Sequence, residues 1–177
     1  MKNKKISLES QLWTYEGIKC PFELISAFFD YSHLDEYKTT LNEAIFYIHK
    51  KEVYKKEYPG QMFSFYNAVR SFLKACYLLQ FKSKKWKVKK PPEKWSILNQ
   101  ASLTYEEYQN PFLVFQLAFT EKALEEYEFF LREIIDLSLS PCTTNLEYAL
   151  ITPYIFLVKM LDAAQVISER GILKKKK

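Results

Sequence analysis

Residues 13–45 read WTYEGIKCPFELISAFFDYSHLDEYKTTLNEAI, and residues 103–135 read LTYEEYQNPFLVFQLAFTEKALEEYEFFLREII. The second stretch restates the first at a constant offset of 90, without a gap. Identical pairs are Thr14/Thr104, Tyr15/Tyr105, Glu16/Glu106, Pro21/Pro111, Phe22/Phe112, Phe29/Phe119, Leu34/Leu124, Glu36/Glu126, Tyr37/Tyr127, Leu41/Leu131, Glu43/Glu133 and Ile45/Ile135. An internal repeat decides architecture first, because each copy must make the same local structure.

Downstream the offset shortens to 88, and YNAVRSFLKACYLL (66–79) aligns with YIFLVKMLDAAQVI (154–167). Two tandem homologous units follow, 8–80 and 98–170. A basic linker, 81–97, joins them, and a lysine tail, 171–177, is expected to be disordered. The whole of 1–177 reads as a single domain.

The period inside each unit is helical. Thr14 and Thr104 read as N-caps, with Glu16 and Glu106 in the first turn. Thr104-x-x-Glu107 is a capping box, whereas the first copy has Gly17 in the glutamate's place. Pro21 and Pro111 suit the first turn of a new helix. Ser32 and Thr120 read as caps of the next one. Leu34, Tyr37, Leu41, Ala44, Ile45 and Ile48 form an apolar stripe, as do Leu124, Tyr127, Leu131, Ile134 and Ile135. A third helix is expected over about 61–81, with Met62, Phe65, Val69, Phe72, Leu73 and Cys76 inward. Its counterpart spans about 144–170, with Pro153 kinking it or opening its main part and Gly171 stopping it. Trp86-Lys87-Val88-Lys89 is the nearest thing to a strand, too short to support a sheet. The expected fold is all-α: a pseudo-twofold bundle of about six or more helices, built from the two units.

Composition agrees. Apolar residues make up 48% of the 177, enough for a core, and the 17% aromatic share makes that core rich in Phe and Tyr. Cys20, Cys76 and Cys142 form no CxxC pair, which points to reduced thiols and a cytoplasmic setting. The most apolar window, 149–167, holds Pro153, Lys159 and Asp162 and reads as a buried helix rather than a membrane span. The net charge of +5 lives at the ends: Lys2, Lys4, Lys5 and Lys174–Lys177 carry seven positive charges, so the remainder is near −2.

Chemistry is sparse. Glu36, Glu43, Glu126 and Glu133 could suggest a carboxylate-bridged metal pair, but such bundles also need Glu-x-x-His. The only histidines are His33 and His49, with Ala123 and Leu139 at the matching positions. The glutamates therefore read as helix-face residues making pairs and hydrogen bonds, and no metal or cofactor is expected. Tyr15/Tyr105 and Tyr37/Tyr127 read as core fillers with satisfied hydroxyls. No P-loop, dinucleotide-binding glycine pattern, nucleophile elbow or zinc-finger spacing occurs. Neither histidine follows an arginine at the Arg-x4–6-His spacing typical of HEPN-type helical nucleases.

The linker carries the functional signal. Residues 82–95, KSKKWKVKKPPEKW, hold seven lysines, two tryptophans and one glutamate. Lysine neutralises phosphate and tryptophan stacks on bases. With only three arginines in the chain, Arg70, Arg132 and Arg170, base-specific readout is not expected. The candidate contacts for nucleic acid or another acidic surface are Lys82, Lys84, Lys85, Trp86, Lys87, Lys89 and Lys90. The plain alternative is a solvated connector pinned to the bundle by Trp86 and Trp95.

The expected function is a non-enzymatic interaction or scaffold module that binds a protein partner through a groove between the copies or an exposed aromatic patch, as monomer or homodimer. The first alternative is a nucleic-acid-associated or regulatory protein using the linker. The second is a small-ligand binder or divergent helical enzyme with a cleft between the repeats.

Overall fold

The computed structural model describes residues 6–48, 50, 52–54, 60–91, 102–141 and 147–175, with side chains in the last stretch from 151 onward. Among them are seven α-helices: α1 (Pro21–Tyr31), α2 (Leu34–Ile48), α3 (Gly60–Leu79), α4 (Tyr105–Gln109), α5 (Phe112–Glu121), α6 (Leu124–Ser138) and α7 (Glu147–Arg170). A 3₁₀ turn at Ser10–Leu12 precedes them. Two short strands, β1 (Trp86–Val88) and β2 (Ile172–Lys174), pair antiparallel. The protein is a helical bundle, and all-α apart from that ribbon.

The stripes face inward as their spacing requires. Tyr37, Leu41, Ala44 and Ile48 of α2 are buried, as are Leu124, Tyr127, Leu131, Ile134 and Ile135 of α6. Met62, Phe65, Val69, Phe72, Leu73 and Cys76 bury the inner face of α3. Helix α1 packs on α3, and α5 packs on α7. Helix α2 lies chiefly across α6 and α7, in the other half of the chain, and α6 in turn lies against α3. The halves interleave rather than meeting as two finished three-helix units.

The core centres on Phe28. Its ring stacks on Tyr37 (centroids 3.8 Å, 9° between planes) and on Phe72 (4.6 Å, 23°). Trp13 meets it edge-on at 6.2 Å and donates its indole N–H to Ser71 Oγ at 3.0 Å. The Tyr37 hydroxyl donates to the Phe28 carbonyl at 2.8 Å, and the Tyr127 hydroxyl donates to the Ala118 carbonyl at 3.0 Å. Burial pushes both phenols well above their ordinary pKa, so they remain neutral donors.

Two sets of partly buried ion pairs link the first and second parts of the chain. Asp162 of α7 is fully buried, pairs with Lys38 of α2 and accepts the Ser102 hydroxyl. On the other side Lys74 of α3 reaches Glu128 of α6 (3.7 Å) and Glu9 (2.6 Å), and Arg70 bridges the same two carboxylates.

The sequence caps are only partly realised. Thr104 caps α4: its hydroxyl accepts from Glu107 N–H at 3.2 Å and Glu107 accepts from Thr104 N–H at 2.8 Å. Burial opposes ionisation of Glu107, but Lys159 at 2.8 Å and the Thr104 N–H outweigh it and hold the carboxyl below its usual range. That stabilisation is present above the unfolded pKa of about 4.3 and is lost as pH falls through the lower folded value.

Thr14 caps no helix. Without the glutamate that Gly17 displaces, the chain there wraps around buried Ser10, whose Oγ accepts from Ile18 N–H at 2.8 Å. Tyr15 then sits at φ 61°. Thr104→Ala is therefore expected to cost about 1 kcal/mol. Thr14→Ala should cost less than half of that by urea denaturation, because it removes no helix cap.

Ser32 and Thr120 are likewise not the caps of α2 and α6. Ser32 closes α1, and Thr120 lies inside α5 with its hydroxyl donating to the Gln116 carbonyl. The repeated glutamates cap instead. Glu36 accepts from His33 N–H at 3.4 Å and from the Ser32 hydroxyl, and Glu126 accepts from Ala123 N–H at 2.7 Å. That backbone donor holds the Glu126 carboxyl below its ordinary range. This is half a capping box, since alanine supplies no side-chain acceptor.

Two further readings change. Tyr15 and Tyr105 are 95% and 72% exposed and fill no core. The tail is not a free end through Lys175: residues 172–174 form β2, so both the expected disorder and the expected lack of strands are corrected there. Lys176, Lys177, His49, Cys142 and Trp95 lie outside the described residues. Helix α7 has the length and apolar content of a membrane span over Ile151–Arg170, yet half of that window is buried in the bundle.

Candidate functional site

The linker and the tail meet. After α3 the chain turns tightly, with Lys82 N–H donating to Leu79 O (2.9 Å) and the Lys85 and Trp86 N–H groups donating to Lys82 O (both 3.0 Å). Strand β1 then pairs with β2 in the register Trp86 with Lys174, Lys87 with Leu173 and Val88 with Ile172. Backbone bonds extend the ladder at both ends: Lys175 N–H to Lys85 O at 2.9 Å, and Lys89 N–H to Gly171 O at 3.1 Å. Residues facing each other across an antiparallel ladder share a face. Trp86, Val88 and Ile172 pack on the core, while Lys87 and Leu173 look outward.

Gly171 makes this return possible. It ends α7 at φ 69°, donating its N–H to Ile167 O at 2.9 Å. The left-handed conformation favours glycine and turns the chain back over the bundle. Arg170, buried at the last turn, fixes the corner by donating Nε–H to Lys89 O (2.6 Å) and a terminal N–H to Tyr108 O (2.7 Å). Its guanidinium lies over the Tyr108 ring at 5.2 Å.

The candidate residues divide by position. Lys84, Lys85, Lys87, Lys89 and Lys90 are exposed, and Lys82 is half-buried at the turn. Trp86 is half-buried with its ring edge-on to Phe22 at 5.6 Å, so it pins the ribbon and leaves little face for a ligand. Lys174 and Lys175 join the same surface from the tail. Among the described residues no carboxylate lies within ion-pair distance of any of these lysines. A groove of 290 Å³ runs along the ribbon, lined by Lys87, Lys89, Lys90, Lys175, Arg170 and the amides Gln109 and Asn110. Cations and neutral donors with no nearby acid make a surface for anions.

Sequence reasoning missed Arg170, Gln109, Asn110 and the tail lysines as parts of one surface. The signals were the alternation of Trp86 and Val88 with Lys87 and Lys89, and the apolar Ile172-Leu173 before the lysine run. A larger hollow of 670 Å³ lies near Tyr31, Asp35, Glu36, Glu43 and Gln61. Among the described residues no group of three or more His, Cys, Asp or Glu side chains is arranged to hold a metal ion. Comparison with family models, with curated proteins and with solved structures finds no match to this chain.

Proposed function

We propose that this protein is a non-enzymatic cytoplasmic interaction module that binds nucleic acid by its phosphates through the lysine ribbon. The observation that carries the reading is the pairing of β2 with β1, which brings the tail lysines onto the linker lysines. Two basic segments far apart in sequence thus act as one surface. Lysines without carboxylate neighbours are not engaged in internal ion pairs and can face an external anion. Contact through lysine and amide groups favours backbone over base-edge recognition.

Binding of a labelled oligonucleotide should weaken steeply with salt, the logarithmic slope growing by about 0.7–0.9 for each phosphate neutralised. Joint replacement of Lys84, Lys85, Lys87 and Lys89 by glutamine should reduce affinity at least a hundredfold and flatten that slope. Unchanged binding by this variant in an anisotropy titration sinks the proposal.

A second reading, a scaffold for a protein partner, is favoured by the exposed repeated pair Tyr15 and Tyr105, together with exposed Phe63. Aromatic side chains held in water are frequent anchors of protein interfaces.

We further infer that the bundle consists of two homologous units about an approximate twofold axis. Exchanging α1 with α5, α2 with α6 and α3 with α7 maps α1-on-α3 onto α5-on-α7, and α3-against-α6 onto α7-against-α2. The tyrosine hydrogen bonds from Tyr37 and Tyr127 obey the same exchange.

A further inference from the structure

Phe81 sits at the start of the lysine turn, 60% exposed. Its ring is held edge-on by Tyr77 (5.6 Å, 81°), and Tyr77 is backed in turn by Phe119 (5.2 Å, 83°). The ring is therefore supported from one side while more than half of the residue remains in water. Two other exposed rings differ: Phe46 carries the Lys50 ammonium at 4.5 Å, and Phe129 carries the Arg132 guanidinium at 5.2 Å. Among the described residues no cation lies over Phe81.

Beside Phe81 opens a hollow of 320 Å³ lined by Gln80, Ser83, Lys84, Gln116 and Thr120. That is the low end of the ligand-pocket range of about 300–1,000 Å³. Gln116 donates both amide protons, to Gln80 O at 3.2 Å and Ser83 Oγ at 2.8 Å, tying the turn to α5. Its amide oxygen has no proton to give and acts only as an acceptor. The chain running from this hollow through Lys84 and Lys85 leads into the ribbon groove.

We infer that the ribbon binds single-stranded nucleic acid, with an unpaired base stacked on Phe81 and the adjoining phosphates held by Lys84, Lys85 and the groove lysines. This rests on the nucleic-acid reading above and deepens it. A duplex offers the same phosphates but keeps its bases stacked internally, so only a single strand can use the ring. Stacking tolerates any base, which fits a site poor in arginine.

The test compares anisotropy titrations of a labelled mixed-sequence 20-mer as single strand and as duplex. The wild-type protein is expected to prefer the single strand about tenfold. Phe81→Ala should lower single-strand affinity roughly tenfold, leaving duplex affinity and the salt slope unchanged. Phe81→Trp should retain or raise the preference. Equal binding of the two forms by the wild type, or an equal effect of Phe81→Ala on both, overturns the stacking inference and leaves the ribbon reading standing. Binding of neither form overturns both. Circular dichroism of Phe81→Ala should match the wild type, since the ring is largely outside the core.

Discussion

Phe28→Ala lowers the unfolding free energy by about 4 kcal/mol, the scale expected when a fully buried phenyl ring leaves a cavity. The local geometry keeps it from falling to the bottom of the usual range of about 3–5 kcal/mol. Phe28 is fully buried, and stacked rings flank it on both sides, Tyr37 from α2 and Phe72 from α3. Neither neighbour can collapse inward freely. Tyr37 is tethered by its hydroxyl to the Phe28 carbonyl, and Phe72 lies in the middle of a twenty-residue helix. Urea unfolding at constant m-value measures the loss. Against a typical total of about 5–15 kcal/mol, it removes between roughly a quarter and most of the stability. A loss below about 2 kcal/mol would show that the rings repack and that Phe28 is not the centre of the core.

Lys38→Met costs about 3 kcal/mol, at the low end of the range for breaking a buried pair, because Lys38 is itself 24% exposed and partly screened by water. The damage comes from what remains. Asp162 is fully buried, and without the ammonium its charge is stabilised chiefly by the Ser102 hydroxyl. Combining Lys38→Met with Asp162→Asn removes that charge and should recover stability to within about 1 kcal/mol of the wild type. Thermal denaturation of the four-member cycle reads the coupling. Additive effects of the two substitutions would contradict a direct pair.

The helices were legible because their information is local. Leu34, Tyr37, Leu41 and Ile48 recur at the helical period, and Gly171 stops α7 by its own backbone freedom. The first turn of each half was less so. Thr14 and Thr104 are identical letters, yet only Thr104 has Glu107 three residues on to complete the box. A cap is a property of the pair rather than of the threonine.

Tyr15 and Tyr105 misled for a related reason. Identity between copies read as burial, but both side chains stand in water. Phe81 was hidden in the opposite way: nothing in its sequence neighbourhood distinguishes a supported, exposed ring from a core residue. The ribbon was the hardest feature to read. Its strands are three residues each and lie 84 residues apart between the paired Val88 and Ile172, so no window contains both. Each alone looks like a charged end. Only the bundle, by bringing the end of α7 beside the linker, makes them partners.

The two ion pairs across the interior have opposite polarity. Under the proposed correspondence of the halves, Lys38 matches Glu128 at the offset of 90, and Lys74 matches Asp162 at the offset of 88. Lys38 pairs with Asp162, and Glu128 pairs with Lys74. Two first halves brought together would set Lys38 against Lys74; two second halves would set Glu128 against Asp162. Both are like-charge encounters between partly buried groups, where repulsion is screened less than at an open surface. On that correspondence the charges favour joining a first half to a second, although Glu9 also pairs with Lys74 within the first. Under that correspondence, copies of this chain that exchanged halves would still join a first to a second.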